Sequence, residues 1–207
     1  MNWIELLTIP VAYLLGSIPS AYIVARLNGG LDIRDEADGK ISAAAVYRRV
    51  GLLSFVMVVI LDIGKSALAV LIAQWINAPT EIVLLTGVFA IAGHQWSIFL
   101  KFQGGLGATA ICGVLISVTT VPTLIGAAIA ALLEWKTKNS TYSFVIGVLI
   151  IFIVIFAMQF SEVMPPPIFI VFPPPPLLVA YPAIMVAMMF IKALQIKYRP
   201  GANLKAK

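Results

Sequence analysis

Asp62 and Lys65 stand three residues apart inside a long apolar run. On a helix, that spacing puts them on one face, where they can pair. Charged side chains at membrane depth are costly, so they face a protein interior or a polar cavity. The pair could serve a substrate or ion path, or it could be a purely structural ion pair. Gly64 and Ser66 beside it suit close helix packing.

A second group is Gly93 to Gly107, reading GHQWSIFLKFQGGLG. Gly104, Gly105 and Gly107 could form a nest of backbone N–H groups for phosphate oxygens. They could equally form a tight turn. His94 is the single histidine, either a packing residue or a catalytic one. A third group is Asp32 to Gly51, reading DIRDEADGKISAAAVYRRVG. The pattern predicts a loop that becomes helical near Ile41. Ser42, Ala43, Ala44 and Ala45 allow close backbone approach, and an exposed helix N-terminus there could hold an anion. Arg48 and Arg49 add fixed positive charge. The plainer reading is a solvated loop. The fourth group, Glu134 to Ser143 (EWKTKNSTYS), is basic and hydroxyl-rich. It suits a phosphate or membrane-surface contact, or a simple connector.

The elements that must position these groups follow from composition. Of 207 residues, 61% are apolar and 11% charged, and mean hydropathy is +1.02. A soluble domain is roughly 45–50% apolar and about 25% charged. An ordinary soluble enzyme and a disordered chain are both excluded. Net charge is +5, with 14 Lys+Arg against 9 Asp+Glu. The basic residues fall in gaps between apolar runs, so membrane topology explains them better than nucleic acid does. The lone Cys112 can make neither an intrachain disulfide nor a cysteine metal site.

A spanning helix needs about 20 mostly apolar residues. Runs at 3–25, 51–75, 82–100, 142–160 and 177–194 qualify. The first has no basic leader and is too long for a signal-peptide core, so it reads as a retained span. A further run, 107–133, fits the positive-inside rule best if it crosses twice, with a break near Val121-Pro122. The expectation is an all-α polytopic membrane bundle of seven spans, two of them short. Its N-terminus would lie outside and its C-terminus in the cytoplasm. A six-span bundle is the alternative. The proline-rich segment 161–176 reads as an extended outer connector.

With these motifs in order, the chain resembles the bacterial acyl-phosphate:glycerol-3-phosphate acyltransferase family (PlsY). The stretch LLGSIPSAYIVARL at Leu14 to Leu27 is similar to that family's first helix. Asp32 to Gly51 is similar to its first motif, Asp62-x-x-Lys65 to its second-helix signature, and Gly93 to Gly113 to its second motif. Thr137 to Ser143 resembles its third motif weakly. The resemblance covers nearly the whole chain. It implies one integral membrane domain over 1–207, in the bacterial plasma (inner) membrane, with the active-site loops cytoplasmic. It implies transfer of an acyl group from acyl phosphate to glycerol 3-phosphate, giving lysophosphatidic acid for phospholipid synthesis. By that resemblance His94 and Arg48 are catalytic. Gly39, Lys40, Ser42, Asp62, Lys65, Gly104, Gly105, Gly107, Lys138 and Ser143 bind substrate. No cofactor or metal is implied, and nucleic acid is not a partner. Membrane lipid and other lipid-synthesis enzymes are.

The sequence also departs from the family pattern. Ala37, Asp38, Gly39 and Lys40 stand where that family has Gly-Ser-Gly-Asn. Ser42 to Ala45 stand where it has Gly-Ala-Thr-Asn, and Leu106 replaces a lysine between glycines. Each charge-assisted hydrogen bond is worth about 1.5–3 kcal/mol. Two other readings therefore stand beside the enzyme. One is a non-catalytic relative that binds anionic lipid or a partner. The other is a small transporter using Asp62 and Lys65.

Overall fold

The computed structural model describes residues 2–35, 41–138, 140–158 and 175–198. Among these residues the regular structure is entirely helical. In chain order the α-helices are α1 (Trp3–Ser17), α2 (Ser20–Gly29), α3 (Ala43–Arg49), α4 (Leu52–Trp75) and α5 (Thr80–Gln95). They continue as α6 (Ala108–Val118), α7 (Thr120–Thr137), α8 (Ser140–Met158) and α9 (Pro175–Lys197).

Several boundaries differ from the sequence expectation, each for a local reason. The run 3–25 is two helices, because Pro19 holds Ile18 in extended backbone (ψ 118°) and ends α1 at Ser17. The run 82–100 stops being α-helical at Gln95 and finishes in a short 3-10 turn at Ile98–Leu100. The run 107–133 breaks at Thr119 rather than at Val121-Pro122. Pro122 sits in the first turn of α7, where its missing N–H costs no helical bond. Only the first half is short: α6 has 11 residues and α7 has 18. In the basic loop, helix begins at Ala43, with Ser42 as its cap accepting from the Ala45 N–H at 3.3 Å. Residues 161–174 of the proline segment lie outside the described residues. Pro175 and Pro176 are not extended connector but open α9, at positions where proline is tolerated.

Among the described residues, four stretches are long and apolar enough to cross a membrane: Trp3–Gly29, Leu52–Trp75, Thr80–Leu100 and Ala180–Lys197. Shorter apolar helices lie at Ala108–Val118 and Tyr142–Ile155. Large apolar side chains such as Trp75, Leu132, Trp135 and Phe190 point outward, which suits a lipid surround.

The core joins α1, α4, α5, α6, α8 and α9 through Ala12, Val70, Ile91, Ile111, Val114, Ile155 and Met185. Small residues set the helix spacing. A Cβ on Gly93 would lie 2.1 Å from the Tyr13 oxygen, so α1 and α5 meet backbone to backbone. A Cβ on Gly113 would lie 2.3 Å from the Ile63 oxygen, which binds α6 to α4 in the same way. Together these approaches bring the middle of α4 beside the end of α5. A second apolar cluster (Val24, Ile33, Ile41, Val46, Val58 and Leu100) holds α2 and α3 over that junction.

Candidate active site

The α1–α2 interruption, the middle of α4, the end of α5 and the glycine loop after it enclose one polar cleft. Its walls include Ser17, Ser20, Asp62, Lys65, His94, Gly104 and Gly105. Asp62 and Lys65 are buried and pair at 2.8 Å. Lys65 Nζ also donates to the Ile18 oxygen at 2.6 Å and to Ser20 Oγ at 3.3 Å. Two donors of the ammonium thus go to these oxygens while its charge pairs with Asp62. The Ile18 carbonyl also accepts from the Ser20 N–H at 3.0 Å, so the ammonium is its second donor. Lys65 thus positions the broken helix as much as it lines the cleft.

Asp62 is the hub. Oδ1 faces Lys65 and lies 3.5 Å from His94 Nδ1. Oδ2 accepts from Thr109 Oγ1 at 3.2 Å. The opposite edge of the imidazole faces the glycine loop. A Cβ on Gly105 would come 2.6 Å from His94 Nε2, so only glycine leaves room there. Gly104 rests on the main chain of α5, its N–H donating to the Gln95 oxygen at 3.1 Å. That N–H is occupied by packing. Gly107 has φ +93° and caps α6 in left-handed backbone, a conformation open to glycine. The Gln95 side chain donates to the Leu106 oxygen at 2.8 Å, which pins the loop.

Of the residues singled out from sequence, the fold brings Asp62, Lys65, His94, Gly104 and Gly105 together. Gly107 closes the same loop. Arg48 lies on the exposed side of α3 and does not line the cleft. Ser42 is spent as the α3 cap. Lys138 is the left-handed end of α7, and Ser143 is buried 3.4 Å from Thr137 Oγ1. Neither of these two lines the cleft. Gly39 and Lys40 lie outside the described residues.

Sequence reasoning missed Ser17, Ser20 and Ser97. Ser97 Oγ donates to the Ser17 oxygen at 2.5 Å. Ser17 Oγ is buried without a hydrogen-bond partner among the described residues. The available signal was two serines flanking Ile-Pro inside an apolar run.

An all-helical membrane-type bundle with a buried Asp–His–Lys cleft against a glycine loop defines the class. The chain belongs to the family described as glycerol-3-phosphate acyltransferase, whose model matches residues 6–204. It is 44% identical over 112 residues to glycerol-3-phosphate acyltransferase 2 of Moorella thermoacetica, covering 54% of this chain and 57% of that one. It is 36% identical over 125 residues to glycerol-3-phosphate acyltransferase 4 of Dehalococcoides mccartyi, covering 60% of this chain and 54% of that one. The match thus spans little more than half the length of either relative. Its fold is similar to the glycerol 3-phosphate form of PlsY (YgiH), an integral membrane glycerol 3-phosphate acyltransferase. That similarity has a TM-score of 0.78 at 22% identity, over 94% of this chain and 90% of the other.

Proposed function

We propose that this chain transfers an acyl group from acyl phosphate to glycerol 3-phosphate, giving lysophosphatidic acid and inorganic phosphate. Family membership and the set of polar groups around His94 support this reading. The observation that carries it is His94, seated between Asp62 Oδ1 and Gly105.

An acyl phosphate is already activated, so no protein nucleophile is needed. His94 Nε2 accepts the proton of the glycerol hydroxyl as its oxygen attacks the acyl carbonyl. The carbon–oxygen bond to phosphate then breaks, and phosphate leaves with its electron pair. Asp62, 3.5 Å from Nδ1, orients the imidazole. Burial strengthens these electrostatic effects over their value in water. The glycine loop and Ser17 offer polar contacts to substrate oxygens. In this reading residues 1–207 form one domain with seven crossings, its site opening to the cytoplasm from the bacterial inner membrane.

The deciding assay is phosphate release by the purified protein from acyl phosphate, with and without glycerol 3-phosphate. Release that requires glycerol 3-phosphate and yields lysophosphatidic acid establishes the reading. No turnover, beside an active relative in the same preparation, overturns it.

A further inference from the structure

Several hydroxyls in this bundle satisfy themselves from the turn before. Thr86 Oγ1 donates to the Ile82 oxygen at 2.7 Å, Ser117 Oγ to the Gly113 oxygen at 3.0 Å and Thr120 Oγ1 to the Ile116 oxygen at 2.6 Å. That bond, four residues back, is open to any Ser or Thr within a helix. Two buried serines depart from it. Ser17 Oγ and Ser66 Oγ are fully buried and have no hydrogen-bond partner among the described residues. Such a group costs stability, so its place in the fold calls for a reason.

The two serines differ in their surroundings. Ser66 does not line the cleft, and Ser17 does. Ser17, Ser20 and Ser97 all stand in the cleft wall. Ser20 Oγ accepts from Lys65 at 3.3 Å, and Ser97 Oγ donates to the Ser17 main-chain oxygen at 2.5 Å. The second bond also occupies the Ser17 carbonyl, which leaves the Ser17 hydroxyl for a ligand. Its main chain is held in place: a Cβ on Gly93 would lie 2.9 Å from the Ser17 nitrogen, so Ser17 abuts the residue before His94.

The cleft holds about 20 Å³, room for a group the size of one water. A neighbouring space of about 180 Å³ shares Ile41 and Gly104 with it. A small molecule that uses both puts one hydroxyl in the cleft and its remainder next door.

We propose that Ser17 Oγ holds the attacking hydroxyl of the acceptor beside His94. The assignment rests on the acyl-transfer reading, whose acceptor is an alcohol. Ser17 donates its O–H to one lone pair of the acceptor oxygen, and the acceptor O–H donates to His94. The other lone pair attacks the acyl carbonyl carbon as His94 takes the acceptor's proton. Ser17 keeps its own proton throughout, so its contribution is orientation.

The test uses the full chain in detergent and titration calorimetry. One ligand is glycerol 3-phosphate. The other is its analogue with hydrogen in place of the terminal hydroxyl that would attack. Ser17→Ala is expected to weaken glycerol 3-phosphate binding about three- to tenfold, the loss of one hydrogen bond, and to bind the analogue as the wild type does. In turnover, KM for glycerol 3-phosphate rises by a similar factor and KM for acyl phosphate does not. Because Ser17→Ala removes an unpaired buried hydroxyl, its melting midpoint should rise. Ser66→Ala should melt higher too, with both KM values unchanged.

The assignment is overturned if Ser17→Ala binds glycerol 3-phosphate as tightly as the wild type, if it weakens both ligands equally, or if it melts lower, as loss of a structural serine would. A wild type that binds no glycerol 3-phosphate overturns it as well. Turnover with KM for glycerol 3-phosphate unchanged in Ser17→Ala sinks the assignment and leaves the acyl-transfer reading standing. Ser17-dependent binding of glycerol 3-phosphate without turnover does the reverse.

Discussion

Lys65 Nζ donates to the main-chain oxygen of Ile18 at 2.6 Å and so ties the middle of α4 to the interruption between α1 and α2. The same ammonium pairs with Asp62 at 2.8 Å. One cation therefore adds a second donor to the Ile18 carbonyl, which also accepts from the Ser20 N–H at 3.0 Å, and neutralises a buried carboxylate. Removing it takes the ion-pair partner from the carboxylate, and breaking one partner of a buried pair costs about 3–5 kcal/mol. Lys65→Met is expected to lower the melting midpoint in detergent sharply. Lys65→Met with Asp62→Asn should recover part of the loss, because the uncompensated charge is gone. A single variant as stable as the wild type would show that the pair and the Ile18 contact contribute little.

His94 is the group proposed to move the proton. General base catalysis contributes about a hundredfold to ten-thousandfold. His94→Gln keeps a polar side chain but not the base, so kcat should fall by about a hundredfold or more while melting changes little. Asp62→Asn should also lower kcat, with a loss of stability that His94→Gln does not share. Equal kcat in His94→Gln and the wild type would remove His94 from the reaction.

Two glycines make opposite predictions. A Cβ on Gly104 would sit 1.9 Å from the His94 oxygen, main chain against main chain. Gly104→Ala must push the loop away from α5, at a cost of about 3 kcal/mol, and should also disturb the imidazole beside it. Gly64, inside α4, has nothing within 4 Å of its would-be Cβ. Gly64→Ala should raise stability by about 0.5–1 kcal/mol, since alanine is the better helix former. Paired melting curves check both directions at once. Equal behaviour of the two variants would contradict the loop's position.

Outside the α-helices, Arg34 grips Asp32: Nε donates to Oδ1 at 2.9 Å and the pair closes through Arg34 Nη2 and Asp32 Oδ2 at 2.5 Å. The Arg34 hydrogen bond holds the Asp32 carboxyl down at about 2, against its usual 3.8. The sign follows. A folded pKa below the unfolded one gives stability that is full above pH about 4 and is lost as pH falls through about 2. The pair is exposed, so the measurable effect is the titration itself. Carboxyl carbon NMR should place Asp32 near 2 in the wild type and close to 3.8 in Arg34→Gln. An unshifted Asp32 in the wild type would mean that the grip is absent in solution.

The sequence made the helices legible because long apolar runs are their own signal. It also made the Asp62–Lys65 pairing legible, since i,i+3 geometry is local. The break at Pro19 was readable from the proline rule, yet the run's high mean hydropathy conceals it: one proline and two serines barely change a 23-residue average. The partners of Lys65 at Ile18 and Ser20 were not legible. They are 47 and 45 residues away and meet through tertiary packing, in which Gly93 lets α5 approach α1 and Gly113 lets α6 approach α4.

The break at Thr119 carries the topology. If α6 and α7 are separate crossings, the chain crosses seven times, and Lys136 lies on the same side as Arg34. If they form one bent span, Lys136 lies opposite. Glu81, at the start of α5, is on the far side from Arg34 in either case. Cys112 is the only cysteine, so a Cys112→Ser background gives a clean start for single-cysteine variants at exposed positions. In sealed cells, a membrane-impermeant thiol reagent should label Glu81→Cys and Val121→Cys from outside. Arg34→Cys and Lys136→Cys should react only after permeabilisation. Labelling of Lys136→Cys from outside, with Val121→Cys protected in the bilayer, would make residues 108–137 a single crossing. It would also place the basic end of α7 against the positive-inside rule, and the seven-span reading would fall with it.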